Sequence, residues 1–305
     1  RQSVTIAAGA IIDLNFALDL SGVHEELTVT AAAGGQTTAF DAFNSVTTLD
    51  SFEITANPQT TLGDVLQNEP GVAKRSFGPG SSRPIIRGFD GDRVLIMQDG
   101  VRTGDLSAAS GDHGVTIDPN GLERGEIVRG PATLLYGSNA VGGVVNTITP
   151  HESYRETFTT GTRGQYSVDV GTADTQMGTN VNLQHAWKNA VIWAGGGSRR
   201  TDDYITPAGV VENSATELSS GRAGLGYFGD RFFASGGFTM DDGRYGIPFA
   251  GDFHHHGHGD DHDDDHEDEV NIDLESRRRV QRFDLGMRNL YNAAIDGFRV
   301  IFNVI

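Results

Sequence analysis

Leu122 to Thr149 reads LERGEIVRGPATLLYGSNAVGGVVNTIT, and its punctuation spells a strand, a helix and a second strand. Glu126 to Val128 is a short β-prone run. Pro131 suits the first turn of a helix, where its missing N–H costs nothing; the helix is expected to run through Leu134 and Leu135 until Gly137 ends it. Val144 to Thr149 closes the stretch as a strand. Towards the N-terminus, Pro84 to Arg87 and Arg93 to Gln98 are two more β-prone runs joined around Asp90-Gly91, and Asp99-Gly100 offers a second tight turn. Thr61 with Asp64 three residues on resembles a capping box, and Leu62, Val65 and Leu66 give one apolar stripe before Pro70-Gly71 stops the helix. Residues 40–150 are therefore expected to form a compact α+β domain of about 110 residues.

After Pro150 the pattern becomes all-β. Tyr166, Val168 and Val170 alternate with polar residues, as do Val181, Leu183 and Trp187. Further runs appear at Ala223 to Tyr227, Phe232 to Phe238, Phe283 to Tyr291 and Phe298 to Phe302. A soluble sandwich would use such strands half-buried. Charged residues at inward positions, such as Asp169, Arg282, Asp284 and Arg288, equally suit a barrel with a polar lumen, and periodicity alone leaves both open. No apolar run reaches the roughly 18 residues of a transmembrane helix, which has no bearing on a transmembrane barrel.

Before the α+β domain, residues 1–24 alternate loosely (Val4, Ile6, Leu14, Phe16, Leu18) and read as the last strands of a small β-domain. Residues 25–39 hold EELTVTA followed by Ala-Ala-Gly-Gly-Gln, a β-prone segment on flexible linker composition. Leu27, Thr28, Val29, Thr30 and Ala31 could add a strand to another protein's sheet, or form a plain edge strand. The chain opens at Arg1 without a start methionine and stops within an apolar alternation at Ile305, so it reads as a fragment of a longer protein.

The net charge is -18, from 41 acids against 23 bases, which argues against a nucleic-acid partner, since phosphate binding needs clustered Lys and Arg. Nine of those acids lie between Asp252 and Glu269, with no Lys or Arg among them. The same stretch holds six histidines: His254, His255, His256, His258, His262 and His266. Without a single cysteine in the chain, a metal site must use His, carboxylate or backbone oxygen, and neutral imidazole with carboxylate is what borderline divalent cations prefer. An ordinary solvated acidic loop explains the Asp and Glu of residues 250–270, but metal capture explains the histidines as well. A second candidate is Ser110-Gly111-Asp112-His113-Gly114. Neighbours on an extended strand point to opposite faces, so Asp112 and His113 could share one ion only in a turn, which the glycines permit; a plain Asx-type turn fits the same residues. No Ser-His-Asp arrangement, phosphate-binding loop or paired-carboxylate site stands out, so no enzyme and no resident cofactor is expected.

Three stretches, TTLGDVLQNEPGV (Thr60 to Val72), RPIIRGFDGDRVLIMQDGVR (Arg83 to Arg102) and the opening Leu122 to Thr149, resemble in order and spacing the plug of TonB-dependent receptors of the bacterial outer membrane. The resemblance implies an α+β plug over 40–150, followed in 151–305 by the first strands of a transmembrane antiparallel β-barrel of about 22 strands when complete. In that frame EELTVTA looks like the Ton box gripped by a TonB-type energy-coupling protein, the barrel faces outer-membrane lipid, and residues 1–24 resemble the end of a carboxypeptidase-regulatory-like domain. The plug arginines Arg75, Arg87, Arg93, Arg102 and Arg129 suit a plug held in its lumen by polar contacts. Asp112-His113 in the plug, with Tyr245-Gly-Ile-Pro and a His/Asp-rich loop in the early barrel, is similar to the zinc-importing branch, in which a plug Asp-His pair joins barrel ligands to hold Zn2+. Alternatives are a ferric-siderophore or haem receptor with an incidental loop, and a non-transporting β-protein that buffers metal.

Overall fold

The computed structural model describes residues 27–28, 37–38, 45–56, 58–104, 106–131, 136–150, 160–248, 271–290 and 295–305. The expectations for residues 1–24, for Val29 to Ala31, for helix positions 132–135 and for the histidines of 250–270 lie outside them. Two short strands, β1 (Leu27–Thr28) and β2 (Thr37–Thr38), pair with one another antiparallel.

The α+β domain is built on a five-stranded sheet. Its strands are β3 (Ser45–Asp50), β6 (Val94–Gln98), β7 (Val101–Arg102), β8 (Arg124–Arg129) and β9 (Gly143–Ile148), in the order β3-β8-β9-β6-β7. Strands β6 and β9 pair in parallel, Val94 against Gly143 through Gln98 against Thr147; the other pairings are antiparallel. Between β3 and β6 lie α1 (Ser51–Ala56), α2 (Leu62–Leu66) and the hairpin of β4 (Val72–Ser76) with β5 (Ser82–Ile86). The expected cap is present: Thr61 Oγ1 accepts from the Asp64 N–H and so satisfies one orphan donor of α2. The core is Ile54, Leu62, Leu66, Ile86, Ile96 and Ile127 with their neighbours, and at 0% exposure Ile127 lies at its centre. The turn at Asp99-Gly100 forms as expected, both residues at positive φ, 52° and 79°. The runs around Asp90-Gly91 do not pair with each other. Strand β5 pairs back to β4, and β6, buried along its whole length, reaches across sequence to the equally buried β9.

Residues 161–304 form a second sheet, an antiparallel meander of seven strands. They are β10 (Gly161–Val170), β11 (Met177–Ala186), β12 (Ala190–Thr201), β15 (Thr216–Phe228), β16 (Phe232–Ile247), β17 (Ile272–Met287) and β18 (Phe298–Val304), with a small hairpin of β13 (Ile205–Thr206) and β14 (Gly209–Val210) between β12 and β15. Six of these runs are legible as alternation; β12, with Gly195-Gly196-Gly197 at its middle, is the one the pattern hides. At one end of this wall the connections are 187–189, 229–231 and 288–297; at the other they are 171–176, 202–215 and 248–271, the last of which is the His/Asp-rich stretch.

The wall is inverted relative to a soluble protein. Leu225 and Phe283 are 65% and 51% exposed, whereas Arg282 and Asp284, on the opposite face of the same strand as Phe283, are 4% and 2% exposed. Along β17 from Arg282 to Leu285 apolar residues point outward and charged residues inward, against the α+β domain, which is the alternation of a transmembrane barrel wall and not of a sandwich.

Candidate functional site

Asp112 and His113 lie in the loop of the α+β domain after the 3-10 turn Leu106–Ala108. Residues 111–112 turn, and this brings the two neighbouring side chains together: His113 Nδ1 lies 3.0 Å from Asp112 Oδ1. The Ser110 hydroxyl donates to the same oxygen. These bonds, Ser110 first and His113 second, hold the Asp112 carboxyl below its usual range, so it is a carboxylate at neutral pH. In the tautomer that carries its proton on Nδ1, the imidazole donates to Asp112 and leaves the Nε2 lone pair for a cation.

Phe77 and Tyr245 fix the loop from two sides. A Cβ on Gly111 would come within 2.6 Å of the Phe77 ring. Tyr245, on β16 of the wall and only 7% exposed, accepts a hydrogen bond from the Gly114 N–H at 2.9 Å and donates one to the Asp112 carbonyl at 3.3 Å. Asp112 borders an open cavity of about 960 Å³ whose other walls include Lys74, Phe77, Ile247, Pro248 and Ile272. His113 is not among its lining residues. Among the described residues no group of three or more His, Cys, Asp or Glu side chains converges as a metal site; the Asp112-His113 pair brings two such side chains together.

The contacts that seat the α+β domain against the wall come from wall residues. Arg278 Nη1 donates to the Gln98 side chain at 2.5 Å, Arg282 Nη1 to the Asp99 carbonyl at 2.7 Å, Ser220 to the Asp118 carboxylate, and Arg199 to the Gln59 carbonyl. The Arg222 guanidinium lies against the backbone at Gly121, where any Cβ would collide with it. Three of the arginines named in the α+β domain bind elsewhere. Arg75 binds Asp90 and the Ser107 carbonyl, Arg102 the Tyr136 carbonyl and Arg129 Thr47, all within their own domain. That domain is small and needs those arginines to tie its loops together. Its apposed surface offers carbonyls and carboxylates to the wall.

A small α+β domain is thus docked by polar contacts onto the charged face of an antiparallel meander whose other face is apolar, the arrangement of a plug against a barrel wall. Residues 38–144 match the TonB-dependent Receptor Plug Domain, and the chain carries such a plug. The Vitamin B12 transporter BtuB of Vibrio vulnificus is 31% identical over 202 residues, 65% of this chain and 30% of that protein. The Hemin receptor of Yersinia pestis is 36% identical over 122 residues, 38% of this chain and 17% of the receptor. Among solved structures, Copper transporter OprC aligns with a TM-score of 0.63 at 17% identity, over 85% of this chain and 37% of its own. The ferripyoverdine receptor of the outer membrane of Pseudomonas aeruginosa aligns with 0.65 at 14% identity, over 85% of this chain and 34% of its own. The chain thus spans 30% or less of the length of these two curated relatives, and the structural likeness is one of fold. TonB-dependent receptors are outer-membrane proteins.

Proposed function

We propose that this chain is the plug and first barrel strands of an outer-membrane receptor that imports a transition-metal ion, zinc, energised by a TonB-type partner that pulls on Leu27 to Ala31. One observation carries the reading: Ile247, Pro248 and Ile272, which flank the His/Asp-rich connection, border the same cavity as Asp112. Ions gathered by His254, His255, His256, His258, His262 and His266 would therefore arrive beside Asp112 and His113. A strongly acidic connection concentrates cations, and interchangeable imidazoles and carboxylates capture them without one fixed geometry. The remaining ligands come from barrel strands outside this chain, and lipid covers the apolar face of the wall. Ligand types do not separate zinc from copper or nickel, which such a site would also bind.

Full-length receptor tests this directly. Replacing the six loop histidines with serine should remove most of the weakly held zinc, and Asp112→Ala or His113→Ala should abolish a separate, tighter site. Unchanged zinc binding in all three variants refutes the reading. A second reading, import of a ferric-siderophore or haem, is favoured by a cavity of about 960 Å³, which has room for a chelate. A deletion strain that fails under zinc limitation and grows normally under iron limitation rules this out.

A further inference from the structure

We propose that Tyr245 is the positioning residue of the Asp112-His113 site, a role that rests on the metal reading above. The direction of a side chain is set by the two peptide groups on either side of its own Cα. For His113 these are the peptide carrying the Asp112 carbonyl and the peptide carrying the Gly114 N–H. The Tyr245 hydroxyl binds both, donating to the first at 3.3 Å and accepting from the second at 2.9 Å. One oxygen from the wall therefore aims the imidazole.

The loop needs such a brace. Gly111 and Gly114 flank the pair and leave the backbone permissive. Asp112 and His113 would diverge if the segment extended. Tyr245 itself is a firm support, because its strand is paired on both sides, with Thr216 on β15 and Leu274 on β17. Sites held by strands are more precise than sites held by loops alone. Glycine also makes the approach possible. A Cβ on Gly80 would fall 2.2 Å from the Tyr245 Cβ, and one on Gly114 would fall 2.5 Å from the Gly80 carbonyl oxygen, so the wall strand, the β4–β5 loop and the metal loop stack without side chains between them.

The consequence concerns release as well as binding. The brace belongs to the wall and the ligands belong to the plug. Any displacement of the plug that separates Tyr245 from residues 112–114 frees both peptides and unsets the imidazole, so the half-site is intact only while the plug is seated.

Co2+ serves as the spectroscopic probe, in full-length receptor whose loop histidines are serine so that only the tight site reports. Tyr245→Phe keeps the ring and removes the hydroxyl. It should alter the visible Co2+ bands and weaken zinc, measured by chelator competition, about tenfold, in the range seen when the supports of a metal ligand are removed, with the melting temperature unchanged. Ser220→Ala removes a different wall-to-plug hydrogen bond and should leave both bands and affinity as they were. If His113→Ala abolishes the bands and Tyr245→Phe leaves bands and affinity unchanged, positioning by Tyr245 is overturned while the metal reading stands. Equal weakening by Tyr245→Phe and Ser220→Ala, without a band shift, overturns it too, as general loosening of the plug. Bands that survive His113→Ala overturn the metal reading itself.

Discussion

Arg282→Met is the sharpest test of how the plug is held. In the wild-type protein Arg282 is 4% exposed; its Nε donates to Asp284 Oδ2 at 2.8 Å and its Nη1 to the Asp99 carbonyl at 2.7 Å. Hydrogen bonds with a charged partner contribute about 1.5–3 kcal/mol each, and removing one member of a buried ion pair usually costs about 3–5 kcal/mol because the other is left uncompensated. Here the abandoned carboxylate keeps a partner, since Arg299 Nε and Nη2 each lie 2.7 Å from Asp284 Oδ1. The lower end of that range applies, about 3 kcal/mol, and the methionine fills most of the vacated volume. Because Asp284 and Arg299 both belong to the wall, the part of the loss that differs between seated and unseated plug is the Asp99 contact and the burial around it. That contact is one charge-assisted hydrogen bond of about 1.5 kcal/mol, so amide hydrogen exchange in the full-length receptor should show the plug opening on the order of 10-fold more often, from about 1.4 kcal/mol per decade. The gain should be concentrated in β6, β7 and β9, with the β15 and β16 amides unchanged. Exchange that is unaltered in β6 and β9, or that rises equally through the wall, would refute the reasoning.

Glu123→Gln should stabilise the plug at neutral pH. Burial raises the Glu123 carboxyl, against the opposing pull of Arg222 and Arg124. A carboxyl raised in the folded state contributes its stability in full below the unfolded value, and that stability is lost as pH rises through the folded value. The gain in melting temperature from the glutamine should then disappear below about pH 4, the ordinary glutamate range; a gain independent of pH contradicts the assignment. Ile127→Ala, at the fully buried centre of the plug core, should cost about 2–5 kcal/mol in denaturant unfolding of the plug. Thr28→Pro removes a backbone donor from the segment assigned to strand addition, and should abolish zinc uptake by cells while zinc binding by purified receptor stays unchanged.

What could be read from the sequence was local. Thr61 and Asp64 mark a cap because the hydroxyl and the amide it serves are three residues apart, and Asp99-Gly100 marks a turn because both residues must take positive φ. The alternation at Phe283 and Leu285 identifies a strand but not which face meets water, since membrane walls and soluble sheets share the period. The structure settles that by burying Arg282 and Asp284. Strand β12 escaped for a local reason as well: its three central glycines carry no pattern. They are there because a Cβ at Gly195 would lie 2.3 Å from Asn182 Oδ1 and 2.7 Å from the Val181 carbonyl, so the adjacent strand and its inward amide leave no room. The parallel pairing of β6 with β9 was illegible for a different reason. It joins Val94 to Gly143 across nearly half of the domain, and no local period records such a choice.

The candidate site divides along the same line. Asp112 and His113 were nameable because two metal-binding side chains flanked by glycines form a pattern within five residues. That a turn could bring them together was legible too; the hydroxyl that binds the peptides on either side of His113 was not, because Tyr245 lies 131 residues away from Gly114 in sequence. Within its own strand Tyr245 is one more aromatic in a barrel wall, and nothing local separates an inward tyrosine that fills space from one that braces a ligand. Only the docked plug makes the distinction, by placing two backbone partners at its hydroxyl. The site therefore belongs to neither the plug nor the wall alone. On the metal reading proposed above, a displacement of the plug from the wall would therefore also undo the support of the imidazole.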